Sequence, residues 1–239
     1  MDYKLKYDLH THTIYSHGKG NIFDNAKVAY EKGMHMIGIA DHGPGHKFYG
    51  INLSDIENMR EDIKQAELFF PKLEVKLSVE ANIASPSGKL DLSEEEKELF
   101  DYIIAGYHYG AFGEKPMKAI KVCMGSFWKA MSDRTYNTDM IVKALYENDI
   151  KLLTHPGDKI DVDIKEVAKA CAATGTLMEI NNHHNGLSVE NLEIAANYNR
   201  YFVISSDAHV PENVGAFDEA LKRAELIGLP LERIINLWS

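Results

Sequence analysis

Short apolar runs alternate along the chain with longer segments in which apolar side chains recur every three or four residues. Runs that are apolar almost throughout are typical of parallel strands covered on both faces, whereas the longer spacing is typical of amphipathic helices. We therefore predict a repeated strand–helix unit. The predicted strands cover residues 6–12, 36–42, 75–83, 101–108, 151–156, 176–182 and 201–209.

The segment after the first strand shows where a helix begins and ends. Its apolar positions, which fall on one helical face, are Ile22, Ala26, Ala29 and Tyr30. Gly33 follows the last of these positions, and a glycine there can adopt the left-handed conformation that ends a helix.

A second helix is predicted after the fifth strand. Its apolar face is formed by Ile164, Val167, Ala168 and Cys171. Either Asp161 or Asp163 is placed to cap its first turn, and Gly175 is placed to end it. Because Cys171 lies on the apolar face, we expect a buried thiol that packs as a small hydrophobic group.

Seven strand–helix units fit two architectures, a doubly wound open sheet or a barrel of the TIM type. The glycine-containing segment 17–21 has neither GxGxxG nor Walker A spacing, so no nucleotide-binding turn supports the open sheet. Since neither a repeat nor a Pro/Gly-rich linker divides the sequence, we expect one domain that spans residues 1–239.

Residues that can bind metals fall at the carboxyl ends of the predicted strands. They are His10 and His12 at the end of the first strand with His17 five residues on, Asp41 and His42 at the end of the second, Glu80 in the third, His108 and His155 at the ends of the fourth and fifth, and Asp207 and His209 at the end of the seventh. All carboxyl ends of a parallel barrel lie on one face, so these side chains would converge. This placement favours the barrel.

The donor types indicate the chemistry of the predicted site. The imidazoles of His10 and His12 are two residues apart on a strand, so they point to the same side and can bind one cation. A single histidine at a strand end is more often structural. Chance alone, however, would not place so many metal-binding residues at the same end of their strands. Imidazoles with a few carboxylates suit zinc, manganese or iron better than calcium or magnesium.

Composition limits the partners and the compartment. The chain has 239 residues, with 26 Lys and Arg against 36 Asp and Glu, and its formal net charge is −10. Such an acidic chain is a poor ligand for long nucleic acids or anionic membranes. No apolar stretch is long enough to span a bilayer, and no secretory signal is visible at the first residues. Two distant cysteines favour a reducing compartment, so we expect a cytoplasmic protein.

Several motifs together resemble the PHP (polymerase and histidinol phosphatase) family. They are DLHTHT with the following His17, IADHG, the glutamate of VEANI, AGYH, THPG and SSDAH, in this order along almost the whole chain. The IADHGP, EANI and EINN segments are most similar to those of YcdX-like bacterial phosphatases. The resemblance implies an α/β fold, a distorted seven-stranded (β/α)7 TIM-like barrel, with a trinuclear metal centre.

The resemblance also implies how the metals are held. One metal would be bound by His10, His12, Glu80 and Asp207, a second by His17, His42 and His209, and a third by Glu80, His108 and His155. Zinc is the expected metal, with manganese or iron as alternatives. The implied activity is hydrolysis of a small phosphate monoester by a metal-activated hydroxide, with Glu80, His42, Asp207 and His209 as the catalytic residues.

Other residues on the same face are weaker candidates. We expect substrate contacts from Asn182 and His183 after the sixth strand and from His46 and Lys47 after the second. The connection 110–136 is longer than is usual in a barrel, and we predict an added helix over the barrel mouth there.

Alternatives stay open on sequence alone. Within the family, a histidinol-phosphate phosphatase and a phosphodiesterase of short oligonucleotides both fit. An amidohydrolase-type C–N hydrolase also uses an HxH pair in a barrel, although it would leave His17, His42 and His209 without a role. A non-catalytic metal-binding module is the remaining alternative, and homo-oligomerisation stays open as well.

Overall fold

The computed structural model describes residues 3–109 and 133–238. Strands β1 to β9 cover Lys4–Leu5, Tyr7–Thr11, Met36–His42, Glu74–Asn82, Tyr102–Gly106, Leu152–Leu153, Leu177–Asn181, Phe202–Ser205 and Leu237–Trp238. Helices α1 to α7 cover Ile22–Glu31, Ile56–Phe69, Glu94–Lys97, Arg134–Glu147, Ile164–Thr174, Val189–Ala196 and Asp218–Leu226. Short 3-10 helices cover Leu53–Asp55, Pro211–Asn213 and Leu231–Arg233.

Seven parallel strands form a nearly closed barrel, which confirms the predicted fold class. Strands β2 to β8 pair in chain order, each with the next. The first and last strands meet where Thr11 pairs with Ala208 and where the amide of His12 donates to the Ala208 carbonyl at 2.8 Å. Strands β1 and β9 form a separate antiparallel pair near the chain termini. No helix in the described residues is both long and apolar enough to cross a bilayer.

The barrel interior is apolar in its middle and polar towards the carboxyl ends of the strands. A small buried cluster fills its middle, made of Leu9, Ala40, Ile104, Leu152 and Val203. Side chains alternate between the two faces of a strand, so positions two or four residues further along also face inward. His42, His108 and Asp207 occupy such positions. His10, His12 and His155 do not, because the pairing of β2 with β3 shifts register between Asp8 and Thr11 and because His155 has a positive φ angle.

Several strands are shorter than the sequence predicts. Strand β6 covers only two residues of the predicted 151–156, and β8 ends at Ser205 instead of continuing to position 209. Just beyond these strands, His155 and Asp207 have positive φ angles of 28° and 53°, and no other non-glycine residue in the described parts does. Left-handed residues cannot continue a strand, so the backbone turns there. Strained backbone of this kind is concentrated at functional sites.

The two helices with predicted ends are present. In α1, Ile22, Ala26 and Ala29 are buried. Tyr30, at the edge of this face, is exposed, and its ring lies against that of Phe70. The added helix is predicted in segment 110–136, of which residues 110–132 lie outside the described residues. It therefore stays a prediction.

In α5 the structure distinguishes the two candidate caps. The Asp163 carboxylate accepts hydrogen bonds from the amides of Lys165 and Glu166 at 3.0 and 3.4 Å, whereas the Asp161 side chain is largely exposed. Gly175 ends the helix with a φ of 77°, and Cys171 is fully buried, as predicted.

We predict that Asp163→Ala lowers the free energy of unfolding by about 1 kcal/mol, because two amides of the first turn lose their acceptor. Asp161→Ala is the matched control and should cost less than about 0.5 kcal/mol, since it removes only an exposed ion pair. Urea unfolding followed by circular dichroism measures both. Equal losses for the two variants would contradict this assignment of the cap.

Candidate metal centre

The nine predicted ligands lie together at the carboxyl end of the barrel. Strand ends and the loops after them carry these residues, which are His10, His12, His17, His42, Glu80, His108, His155, Asp207 and His209. Three groups among them present ligand atoms within 4.8 Å of one another: His12, His17, His42 and His209; His10, His12 and Asp207; and His42, Glu80 and His108. Residues separated by up to two hundred positions thus share one site.

Glu80 lies between two sets of imidazoles. Its Oε1 is 2.9 Å from Nε2 of His155 and 3.3 Å from Nε2 of His108. Its Oε2 is 3.0 Å from Nδ1 of His42 and 3.4 and 3.6 Å from Nε2 of His10 and His12. The two oxygens of one carboxylate therefore face different groups of donors.

The spacing of the donor atoms fits a coordination shell. Nε2 of His12 lies 3.1 Å from both Nε2 of His10 and Oδ1 of Asp207, and Nε2 of His108 lies 3.2 Å from Nε2 of His155. Two ligands at about 2.0–2.1 Å from a tetrahedral zinc ion are roughly 3.3 Å apart. These atoms can therefore share an ion without rearrangement of the strands.

Unpaired buried atoms support the same conclusion. Among the described residues, the buried atoms without a hydrogen-bond partner include Nδ1 of His12, His17 and His42 and Oε2 of Glu80. A buried polar atom that lacks a partner costs free energy, and such atoms at a protein site are explained by a bound water or ion. The residues present thus fit a metal centre.

Burial and neighbouring charges set the protonation of the site. Burial lowers the pKa of His12 well below its ordinary value and lowers the pKa of His17 and His108 to about 4. Burial opposes the charge on Glu80, but His108 and His10 outweigh it and hold the Glu80 pKa well below the usual range. His12, His17 and His108 are therefore neutral imidazoles beside a charged carboxylate, which are the forms that bind metals.

His10 has a different environment. Burial opposes its charged form, but the carboxylates of Asp207, Glu80 and Glu179 outweigh burial and raise the His10 pKa well above its ordinary value. Asp207 shows the converse effect, because His10 and His12 outweigh burial and hold its pKa well below the usual range. A cation that bound here would displace a proton from His10.

Glu179 is a functional residue that the sequence reasoning missed. Its Oε1 is 2.8 Å from Nδ1 of His10, and its Oε2 accepts hydrogen bonds from the amide of His155 at 2.7 Å and from Nδ2 of Asn181 at 2.9 Å. Asn181 Nδ2 also reaches Asp207 Oδ2 at 3.1 Å. The only signal in the sequence is a charged residue in the middle of the apolar run LMEIN.

Asp41 supports the loop that carries His17. Its carboxylate accepts hydrogen bonds from the amide and hydroxyl of Thr13 at 2.7 and 2.6 Å and from the hydroxyl of Ser16 at 2.7 Å. Asp41 precedes His42 on β3, so one strand end supplies a candidate ligand and the anchor of the neighbouring loop.

The candidate substrate residues differ in their surroundings. His183 is exposed at the site, with its ring centroid 6.3 Å from that of His209. The side-chain oxygen of Asn182 accepts hydrogen bonds from the amides of Glu219 and Ala220 at the start of α7.

The loop after β3 covers one side of the site. His46 is buried, its ring stacks on those of His42 and Tyr49, and its Nδ1 accepts from the Tyr49 amide at 3.1 Å. Lys47 is exposed on the same loop. The half-exposed ring of Tyr49 also stacks on His17, with centroids 4.5 Å apart. The loop therefore presents an aromatic surface next to the candidate ligands.

Comparisons with known proteins are consistent with this geometry. A sequence profile of the PHP domain matches residues 8–183. A probable phosphatase of Caldanaerobacter subterraneus subsp. tengcongensis is 32% identical over 99% of this chain and 89% of its own length. The probable phosphatase YcdX of Escherichia coli K12 is 29% identical over 96% of this chain and 89% of its own length.

A solved structure shares the fold. It is the histidinol phosphate phosphatase of Lactococcus lactis subsp. lactis, crystallised with zinc, L-histidinol and phosphate. It is similar with a TM-score of 0.59 over 94% of both chains, although only 14% of the aligned residues are identical.

We predict that Glu179→Gln weakens zinc binding by roughly 10- to 100-fold, because an amide offers one acceptor oxygen where the carboxylate serves the His10 ring and the His155 amide with two. Competition with a chromophoric chelator measures the affinity. The matched control is Glu67→Gln on α2, whose carboxylate accepts from the Val75 amide at 3.0 Å and contacts no candidate ligand. Unchanged affinity in the Glu179 variant would contradict the positioning role.

Proposed function

The chain belongs to the PHP family and is a hydrolase of phosphoric esters, and from this premise we propose that it is a metal-dependent phosphatase of small phosphate monoesters. We propose further that the barrel, with residues 1–239 as one domain, binds three divalent metal ions. Zinc is the metal we expect, with manganese or iron as alternatives, since imidazole-rich sites accept several first-row metals.

The observation that carries this proposal is the position of Glu80. Its two oxygens face separate groups of imidazoles at 2.9–3.6 Å. A carboxylate can contribute one oxygen to each of two cations, whereas each imidazole nitrogen serves one. We therefore assign Glu80 as the bridging ligand between two groups.

We assign the remaining ligands by proximity. One group is His10, His12 and Asp207 with Glu80 Oε2, a second is His17, His42 and His209, and a third is His108 and His155 with Glu80 Oε1. His12 and His42 lie at the borders between groups, because His12 is also close to the second group and His42 to the third. The three sites would therefore be adjacent.

The cations explain how an acidic chain attracts a phosphate. Three divalent ions against the carboxylates of Glu80 and Asp207 leave a local charge of about +4, inside a protein whose net charge is −10. When bound, such ions lower the pKa of water to near neutrality and stabilise negative charge on phosphate oxygens.

The protein's own groups would hold and orient the substrate. His183 is exposed beside His209 and can donate a hydrogen bond to a phosphate oxygen, and Lys47 can reach the substrate from the loop after β3. The stacked Tyr49 ring bounds the site on that side.

The related proteins guide the choice of substrates. The structural neighbour from Lactococcus lactis holds L-histidinol and phosphate, which makes histidinol phosphate the first alternative substrate to test here. The relatives named as phosphatases favour ester hydrolysis over a C–N hydrolase. The convergence of His17, His42 and His209 also argues against the C–N hydrolase, which would not need them.

The proposed function is tested by phosphate release from zinc-loaded protein of measured metal content. The panel contains histidinol phosphate, sugar phosphates, nucleotides, p-nitrophenyl phosphate and bis(p-nitrophenyl) phosphate. We expect monoesters to be hydrolysed at least tenfold faster than the diester, and a chelator to abolish activity until metal is restored. A metal-loaded protein that releases phosphate from none of the monoesters would refute the proposal.

Glu80→Gln is the inactive reference for this panel. A neutral amide cannot replace a carboxylate shared between cations, so we expect this variant to lose more than one equivalent of metal and nearly all turnover. Wild-type activity, or the loss of one equivalent or less, would contradict the bridging role of Glu80.

We predict that His183→Ala raises KM roughly 10- to 150-fold, because a hydrogen bond to a charged phosphate contributes roughly 1.5–3 kcal/mol. Metal content should stay unchanged, since the His183 ring belongs to none of the three groups. His35→Ala is the matched control, because His35 is exposed before β3 at the opposite end of the barrel. An unchanged KM in the His183 variant would show that this side chain does not contact the substrate.

A further inference from the structure

Asp91 is a buried carboxylate close to the metal centre that belongs to none of the candidate ligand groups. It lies between β4 and α3, and its side chain accepts hydrogen bonds from three nitrogen donors. Nδ2 of Asn82 is at 2.5 Å, the amide of Asn82 at 2.7 Å and the amide of Gly45 at 2.9 Å. Both carboxylate oxygens are used.

This contact determines which way the Asn82 amide points. A carboxylate only accepts hydrogen bonds, so the NH2 group of Asn82 must face Asp91. The Asn82 oxygen then faces Nδ1 of His108 at 2.9 Å. Since an amide oxygen only accepts, Nδ1 of His108 must carry the proton.

The tautomer of His108 follows. With the proton on Nδ1, the lone pair of the neutral ring is on Nε2, which lies 3.3 Å from Glu80 Oε1 and 3.2 Å from Nε2 of His155. This is the nitrogen that faces the other candidate ligands. Hydrogen bonds behind a ligand ring commonly fix its tautomer and orientation in this way.

We propose that Asp91 and Asn82 are positioning residues that hold His108 in the Nδ1–H tautomer and so keep its Nε2 available to a metal. The assignment of His108 as a metal ligand rests on the proposed function. The tautomer itself is a property of the protein without metal.

Asp91 also supports the loop that follows His42. Besides the Gly45 amide, its carboxylate packs against Gly43, where an added Cβ would lie 2.5 Å from Asp91 Oδ2. That distance is shorter than any ordinary contact, so a side chain at position 43 would displace the carboxylate. One buried charge thus connects the backbone after His42 with the ring of His108.

The isosteric variant Asp91→Asn tests this proposal. The new amide has one acceptor oxygen for three donors, and two of those donors are backbone amides that cannot turn. The Asn82 amide can rotate, and we expect it to present its NH2 group to His108. His108 Nδ1 must then accept, which moves the proton to Nε2.

Two measurements follow the change. Long-range 1H–15N NMR of the metal-free protein should show His108 switching from the Nδ1–H to the Nε2–H tautomer. Zinc titration should show roughly 10- to 100-fold weaker binding of one equivalent, with the other equivalents retained. Asp101→Asn is the control, because Asp101 accepts from the Leu77 amide and pairs with Arg60 without contact to a candidate ligand.

The double variant Asn82→Asp with Asp91→Asn separates positioning from simple destabilisation. The new amide at position 91 can donate to the new carboxylate at position 82, whose other oxygen accepts from His108. We expect the Nδ1–H tautomer to return and zinc affinity to recover to within a few-fold of wild type, although the Gly45 amide still lacks its acceptor. A merely structural role for Asp91 would predict no recovery.

Gly43→Ala gives an independent route if Asp91→Asn does not fold, since it displaces the carboxylate without changing any polar group. Retention of the Nδ1–H tautomer in both single variants would overturn the proposal, and so would a switched tautomer with unchanged zinc affinity. Failure of the proposed function is distinguishable, because it is read from phosphate release by metal-loaded wild-type protein, whereas the tautomer measurement on metal-free protein still reports on Asp91 and Asn82.

Discussion

The site depends on the burial of one carboxylate among imidazoles. Glu80 is almost fully buried, and isolated burial of a charge costs far more than folding can supply. Histidine rings lie within 3.6 Å of both of its oxygens, and Thr154 donates a further hydrogen bond at 2.8 Å. In the same cluster, three buried ring nitrogens of the described residues, Nδ1 of His12, His17 and His42, have no hydrogen-bond partner. That combination is unfavourable for an empty cavity and favourable for one that holds cations.

The barrel supplies the positions for this cluster. Its interior is filled by apolar side chains in the middle, and His42, His108 and Asp207 follow at inward positions nearer the carboxyl ends of their strands. Strands β6 and β8 end early, just before His155 and Asp207, where the left-handed backbone of these two residues turns the chain. Conformational strain at these two residues is balanced by hydrogen bonds, such as the one from the His155 amide to Glu179.

A second set of carboxylates holds the candidate ligands in place. Glu179 orients His10, Asp41 anchors the loop of His17, and Asp91 acts on His108 through Asn82. Precise orientation of this kind is what metal affinity and reactivity depend on. The acidic residues around the site therefore have two roles. Glu80 and Asp207 belong to the cluster of candidate ligands, whereas Glu179, Asp41 and Asp91 hydrogen-bond to the groups that hold it in place.

The sequence by itself determined the strand–helix alternation, because apolar periodicity is a local feature, and the placement of His10, His108 or Asp207 at strand ends favoured a parallel barrel. The set of nine candidate ligands came from the resemblance to the PHP family, since the strand ends alone also offered Asp41. The sequence also determined the end of α5 at Gly175. It did not separate Asp161 from Asp163 as the cap, and it missed Glu179 and Asp91 and misjudged the surroundings of Asn182. Only the tertiary structure decided these points, because the groups that bind those side chains come from distant parts of the chain. Glu179 and His10 are 169 residues apart, and no spacing along a sequence encodes a hydrogen bond that exists only after the barrel has closed.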